Sequence, residues 1–427
     1  MKIFLGPIEI AGYLRGLKKG FDENDIQADL VYFYKSSFHS GYESSSSILK
    51  IIQFSNSKRA FNCESSFIIK IFWFSLNQLC SIIFLLLSLF KYKYFIFSYG
   101  KSILYNNFDL PILKFFKKKI AFIFFGSDAR PDYIDGLIIN KEFSTNDLKK
   151  ITNIIDNNIK KKKKLIKKIE KLADFIFCYP TISHFFTKKC INWYLIGFPQ
   201  IIPNKINLIN YNYTTPILSH IPSSPFTKGT KEIRILIEKF KEKQNIIYKE
   251  YNNLNSQTLF EIILSSNIII DQLYSDVPIA GLSLECIRLK KNVVIFGYAQ
   301  DIWKDYSDRI PIFIYTTPDE FEVVLNKLIN NDVLLKEKLL KTNYFFEKHW
   351  STKKVAKKYF DILNNEQFLD ISFDPKNTKY IYGCGISKDK LKYFLKNIIE
   401  IKGLSILGLS DKPELEKKFI EFAYSDE

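Results

Sequence analysis

The stretch Thr214-Thr-Pro-Ile217-Leu-Ser-His220-Ile-Pro-Ser-Ser-Pro-Phe-Thr-Lys228-Gly-Thr230, continuing to Gly297, decides the fold. Its short apolar run Ile217–Ile221 breaks at Pro222. A helix-period segment follows, with Ile233, Leu236, Ile237 and Phe240 on one face. Ile246-Ile247-Tyr248 is strand-like, Ser256 to Leu264 helical, and Ile268-Ile269-Ile270-Asp271 a fully buried strand followed by a loop from Tyr274 to Ala280. A helix from Gly281 to Lys290 leads into the apolar run Val293-Val294-Ile295-Phe296. Short apolar strands alternating with helices predict an α/β fold with a parallel, doubly wound sheet. Ligands of such sheets sit beyond the carboxyl ends of the strands, where Ser223, Ser224, Lys228, Thr230, Asp271 and Glu285 cluster in this sequence.

The segment Pro222 to Thr230 ends a strand and starts a helix. Thr230 is the expected N-cap with Glu232 in the first turn, and Gly229 admits a close ligand. Free amides and the positive end of the helix dipole favour a phosphate there, and Lys228 adds a cation. An ordinary loop with a solvated lysine gives the same pattern, and the Walker spacing is missing. Glu285, just inside the next helix, suits a sugar hydroxyl pair or simply complements the helix dipole.

Taken in order, these segments resemble a known family. His220-Ile-Pro-Ser-Ser-Pro-Phe-Thr-Lys228-Gly229-Thr230 resembles the His-x-Pro-Ser…Lys-Gly-Thr segment of GT-B glycosyltransferases. Asp271-Gln-Leu…Gly281-Leu282-Ser283-Leu-Glu285 is similar to their donor segment, Asp-Gln-Leu…Gly…Glu-Ala-Met. The resemblance implies two Rossmann-like doubly wound domains facing a cleft, with a C-terminal helix crossing back. It also implies a nucleotide-sugar donor held by Ser223, Ser224, Lys228, Gly229, Thr230, Asp271, Gly281, Leu282, Ser283 and Glu285. Lys228 would neutralise the donor diphosphate and Glu285 would hold the ribose. Relatives often carry a further glutamate where this chain has Val277, with Asp276 one step away, and Lys290-Lys291-Asn292 stands at the usual Gly-Lys-Pro. Retention of anomeric configuration is implied by the same likeness.

Outward from this stretch, 427 residues are enough for two domains with full cores. Hydrophobic residues make up 47%, which excludes a disordered chain. The formal charge of +17 calls for an acidic partner: nucleic acid, anionic lipid or a nucleotide diphosphate. Six scattered cysteines without a Cys-x-x-Cys pair oppose a zinc site and a disulfide framework. A strand starting at Lys2 leaves no room for a secretory leader, so a cytoplasmic location is expected.

The first domain is expected over residues 1–198. Gly6-Pro7 ends its first strand, and a helix runs from about Ala11 to Lys19. Gly12 resembles the cleft-lining glycine of the family, or is a packing glycine. Residues 39–47, opening at His39, form a polar, serine-rich loop placed to meet an acceptor. Phe67 to Phe90 is almost wholly apolar and long enough to span a bilayer. A buried helix and a monotopic helix dipping into a membrane face are the leading readings, with a true span behind them. The strand from Ile120 ends in Gly126-Ser127-Asp128-Ala129-Arg130, which resembles an acceptor-side element of some GT-B enzymes. Asp128 is a candidate to position an acceptor hydroxyl or act as base and Arg130 to bind an anion; equally, the two form a structural ion pair. Lys149 to Lys171 is a basic helix whose lysines are either a solvated face or suited to an anionic leaflet.

Residues 199–213 read as a linker, 214–346 as the donor domain and 347–365 as the crossing helix. Residues 366–427 read as a small α/β extension with strands at Lys379–Tyr382 and Leu404–Leu407. No Asp-x-Asp occurs, so no metal and no bound cofactor are expected. The expected activity is sugar transfer from a nucleotide sugar to a glycan or lipid-linked acceptor, in surface-polysaccharide synthesis at the inner face of a bacterial membrane. A nucleotide-sugar epimerase, which needs no acceptor, and a basic nucleic-acid-binding protein are the alternatives. The last would have lysines interleaved with aromatics and a known module, neither of which the sequence offers.

Overall fold

A computed structural model describes residues 2–34, 46–61, 66–143, 148–199, 201, 215–310, 314–330, 332–364 and 369–425. His39 and most of the expected linker lie outside the described residues. The first sheet contains β1 (Ile3–Gly6), β2 (Ala28–Leu30), β3 (Tyr94–Ser98), β4 (Lys119–Ile123), β5 (Phe175–Cys178) and β6 (Cys190–Asn192). The second contains β7 (Ile217–His220), β8 (Ile247–Glu250), β9 (Ile268–Ser275), β10 (Asn292–Gly297) and β11 (Ile314–Thr316). A last two-residue strand, β12 (Ser372–Phe373), adds antiparallel to β6. All other pairings are parallel.

Strand order is β12-β6-β5-β4-β3-β1-β2 in the first sheet and β11-β10-β9-β7-β8 in the second. Both reverse direction after their second strand, so each is doubly wound. The switch points lie between β1 and β3 and between β7 and β9. Strands β1, β3, β5 and β9 are buried throughout, which is why they read as continuous apolar runs rather than alternating ones. β9 carries its apolar run on through Leu273 and Tyr274, so the loop expected from Tyr274 begins after Ser275.

Right-handed crossovers put the helices Phe67–Lys91, Leu110–Phe115 and Leu148–Leu172 on one face of the first sheet and Tyr13–Asp22 on the other. The helix Thr352–Asn364 crosses back and packs on Tyr13–Asp22. The Tyr13 hydroxyl meets that of Tyr359 at 2.9 Å and donates to the Gly197 carbonyl at 3.0 Å. Gly20 permits this contact, because a Cβ there would lie 2.0 Å from the Thr352 carbonyl oxygen.

Three expectations are corrected. Lys379–Tyr382 and Leu404–Leu407 are not strands: the first is irregular backbone whose Tyr380 carbonyl is taken by His184, and the second is a short 3-10 turn between Gly403 and Gly408. The extension is therefore helical (Lys388–Lys402 and Pro413–Tyr424) apart from β12. It is fixed to the first domain by His184 Nε2 on the Tyr380 carbonyl (2.7 Å), Ser183 with Thr378 (2.6 Å) and Tyr133 on the Leu407 carbonyl (3.0 Å). The Phe67–Lys91 helix is not a buried core helix; its outer side is bare. The lysine block is not one solvated face either. Lys162 donates to the Ser127 and Arg130 carbonyls and to Asp132, and Lys163 reaches the Gly408 carbonyl and Asp411.

Candidate functional site

The carboxyl ends of the two sheets face each other across a cleft of about 420 Å³. On the second-domain side, both switch-point strands contribute. After β7 the chain turns through Ser223 and Ser224, which line the cleft, and a single helical turn, Pro225–Lys228. Gly229, at φ 72°, then redirects it into the helix Thr230–Lys241. A Cβ on Gly229 would approach Leu273 and Tyr274 to 3.0 and 3.1 Å, so both conformation and packing require glycine.

Gly229, not Thr230, occupies the N-cap position, because the threonine hydroxyl is used elsewhere. His220 explains where. Its Nδ1 is 2.8 Å from the Ile270 carbonyl, which can only accept, so Nδ1 carries the proton. Nε2 is then an acceptor, and Thr230 Oγ1 donates to it at 2.9 Å. Burial lowers the pKa of this histidine, in keeping with a neutral ring. The pair ties the end of β7 to the start of the helix.

Lys228 does not project into the cleft. Its ammonium lies 2.7 Å from Asp271 on β9, and the Asp271 side chain is fully buried. The other Asp271 oxygen accepts from Ser283 Oγ at 2.5 Å, and Ser283 in turn accepts from the Ala280 amide at 3.1 Å. One carboxylate thus joins the lysine of the first loop to the opening turn of the helix Gly281–Arg288. Gly281 lies at the cleft, where a Cβ would stand 3.8 Å from that of Ala11 in the first domain. Leu282 is half-buried on the same turn. One turn further on, Glu285 contacts Arg288 at 2.5 Å. Burial raises its pKa, opposed by Arg288 and by Arg15 from the first domain.

On the first-domain side, Ala11 (φ 50°) and Gly12 (φ 77°) form the turn that starts the helix Tyr13–Asp22. After β4, Asp128 folds back on its own loop, accepting from the Gly126 amide at 2.8 Å and the Phe125 amide at 3.0 Å. Its desolvation pushes this carboxyl up to about 6, against the lowering effect of those amides. Arg130 does not pair with Asp128. Its guanidinium is buried between Asp276, 2.6 Å away in the second domain, and Asp135, at 3.2 Å. Burial disfavours the charge, yet the two carboxylates hold the pKa of Arg130 well above its ordinary value.

Several cleft residues escape sequence reasoning. Asp276, one step from the expected glutamate position, is the partner of Arg130. Tyr179, Trp193 and Tyr194 pack into an aromatic floor, Tyr179 meeting the other two rings edge-on and Trp193 and Tyr194 lying 4.5 Å apart between centroids. Their polar atoms are tied to backbone: Tyr194 to the Ile279 carbonyl across the cleft (3.0 Å), Trp193 to that of Phe124 (2.9 Å). The extension also reaches the site. Cys384 and Gly385 line the cleft, the Cys384 carbonyl accepting from the Gly136 amide and the Gly385 amide donating to the Tyr274 carbonyl, both at 2.7 Å. The dipeptide Trp193-Tyr194 was the one available signal for the floor; nothing local marks Cys384. Among the described residues, no group of three or more His, Cys, Asp or Glu converges as a metal site.

Compared with family models and with curated protein sequences, the chain finds no match. Among solved structures it is similar to sucrose-phosphate synthase from Thermosynechococcus elongatus, at 9% identity over 86% of this chain and 99% of that one, with a TM-score of 0.45. It is also similar to Anabaena HepE in complex with UDP and glucose (9% identity, 85% and 99% covered, TM-score 0.42). A third is the glycosyltransferase SnogD from Streptomyces nogalater (8% identity, 85% and 99% covered, TM-score 0.37).

Proposed function

We propose that this chain is a glycosyltransferase of GT-B type, moving a sugar from a nucleotide-sugar donor to a glycan or lipid-linked acceptor. The observation that carries this reading is the Lys228–Asp271–Ser283 cluster at the switch point between β7 and β9, facing a second doubly wound domain. That is where such sheets hold a nucleotide.

In this reading the diphosphate lies against the turn Ser223–Thr230 and the amide end of the helix Gly281–Arg288, whose partial positive charge suits it. Lys228 exchanges Asp271 for the phosphate, and Ser283 keeps hold of Asp271 as it does so. As the glycosidic bond of the donor breaks, charge grows on the diphosphate, and a fixed cation and fixed amides stabilise it without reorganising. Glu285 takes the ribose hydroxyls. Gly12 and Asp128 present the acceptor from the opposite wall, with Asp128 taking its proton. Arg130, committed to two carboxylates, fixes that wall rather than binding an anion. Transfer would need no metal.

The test is binding of a panel of nucleoside diphosphates and nucleotide sugars, followed by thermal stabilisation with and without magnesium. One nucleotide should stabilise the protein regardless of magnesium, and Glu285→Ala should abolish the shift. Losing the charge-assisted contact in Lys228→Ala should weaken that nucleotide about 10- to 100-fold. Full affinity and full transfer in Lys228→Ala would remove the role assigned to it.

A further inference from the structure

The helix Phe67–Lys91 carries two apolar stripes where a surface helix of a globular protein carries one. The inner stripe, including Cys80, Phe84, Leu85 and Leu89, is buried on the first domain. The outer stripe, including Phe72, Leu79, Ile82, Leu86, Leu87 and Phe90, is exposed, Phe90 to 92%. No charged residue interrupts the sequence between Lys70 and Lys91. From Ile68 to Phe90 the bare stripe runs roughly 33 Å at the rise of an α-helix.

Two neighbouring elements extend this surface. The helix Ser47–Phe61 packs alongside and exposes Ile51, Phe54 and Phe61, the Phe54 ring meeting Trp73 at 5.6 Å. On the other side the Tyr105 ring meets Phe74 at 5.4 Å, and Tyr105, Phe108, Phe115 and Phe116 are exposed beyond it. Among the described residues nothing covers this face, which is larger than the few hundred Å² of apolar patch usual on a soluble monomer.

Its rim is cationic. Lys58 and Arg59 lie over the rings of Phe54 and Phe74, at 5.4 and 5.0 Å. Lys168 sits 4.4 Å over Phe108 and holds the Asn106 carbonyl, joining the aromatic turn to the basic helix Leu148–Leu172. On that helix Lys161, Lys164, Lys167 and Lys171 are exposed. The nearby carboxylates are already occupied: Asp29 by Lys2 and Lys91, Asp174 by Lys114.

We propose that this face docks on an anionic lipid bilayer, the helix Phe67–Lys91 lying in the interfacial plane with its outer stripe in the acyl boundary and the lysines on the headgroups. The helix does not span. Its inner stripe is packed on the domain, Asn77 is bonded to Ser55 at 2.9 Å, and β3 enters the middle of the sheet at Tyr94. A second copy is the poorer occupant, because a two-fold interface through this face would set one lysine rim against its equal. The proposal stands apart from the transfer reading and is tested without substrate.

The full chain is sedimented with vesicles of phosphatidylcholine alone and of phosphatidylcholine with phosphatidylglycerol, at low and high salt. Binding should require the anionic lipid and weaken with salt. Leu86→Asp with Leu87→Asp should lower vesicle affinity at least about tenfold. Lys164→Glu with Lys167→Glu should lower it about tenfold or more and remove the preference for anionic lipid. Phe90→Ser, at a nearly fully exposed position, supplies a second apolar variant if the leucine pair fails to fold. No sedimentation with any vesicle, or equal sedimentation with neutral ones, overturns the proposal. So does a lipid-free dimer that Leu86→Asp with Leu87→Asp disperses, which would assign the face to self-association.

Discussion

Replacing Asp276 by alanine tests whether the cleft is held by a buried ion pair between domains. The two side chains are 2.6 Å apart, with Arg130 7% and Asp276 2% exposed. Removing one partner of a buried pair costs about 3–5 kcal/mol, because the remaining charge is left desolvated. Arg130 would keep the Asp135 carboxylate at 3.2 Å, so its charge would not be left wholly unpaired. The loss should therefore fall near the lower end, about 3 kcal/mol. Urea unfolding followed by tryptophan fluorescence reads it out, since the Trp303 indole donates to the Asp276 carbonyl at 2.9 Å and Trp193 lines the cleft. Arg130→Met combined with Asp276→Ala should cost less than the two single changes added together, by about 1–3 kcal/mol. A single change costing under about 1 kcal/mol, or an additive double, would show that water reaches the pair and that it does not hold the domains.

Two further outcomes follow from the geometry. Gly20→Ala should destabilise the protein by about 1–3 kcal/mol in a thermal or urea melt, since its Cβ would sit 2.0 Å from the Thr352 carbonyl oxygen and prise the crossing helix from Tyr13–Asp22; an unchanged melt would mean the crossing helix is not docked there. If Asp128 is the base, transfer should fall as pH drops below about 6, where its carboxyl takes up a proton, and Asp128→Asn should lose about 10²-fold or more. Stability has the opposite sign. A native carboxyl near 6 holds its proton more tightly than the unfolded one near ~3.9, so its contribution is full below about pH 4 and is lost as pH rises through 6. A rate profile with no acid limb near that value leaves Asp128 as a loop lock only.

The doubly wound sheets were legible because strands buried on both faces must be apolar throughout, and runs such as Ile268-Ile269-Ile270 leave few other readings. The Lys228–Asp271–Ser283 cluster was legible in part: the three fall on the loop after β7, within β9 and in the opening turn of the next helix, though their mutual bonding does not show in spacing. Arg130 and Asp276 are 146 positions apart, so no local pattern could pair them. The five-lysine run hid two inward side chains because successive helical residues point about 100° apart, and a run of one residue type conceals which of them face in. Lys379-Tyr-Ile-Tyr382 has strand composition, yet strand propensity yields to tertiary context, and here the Tyr380 carbonyl is taken by His184 rather than by a neighbouring strand.

The extension changes how the cleft must work. It is anchored on the first domain through His184, Ser183 and Tyr133, and touches the second through the Gly385 amide on Tyr274 and through Lys390 near Glu232. The first set is buried and the Lys390–Glu232 pair is exposed and weak, so the attachment to the first domain is the stronger one. On any parting of the domains the loop Gly383–Gly385 would travel with the first domain. Gly136 enforces that attachment: a Cβ on it would lie 2.0 Å from the Gly385 carbonyl oxygen. The cleft is thus walled on one side by three first-domain elements, the Ala11–Gly12 turn, the Asp128 loop and the extension loop, and on the other by the β7 and β9 ends that carry the Lys228–Asp271–Ser283 cluster.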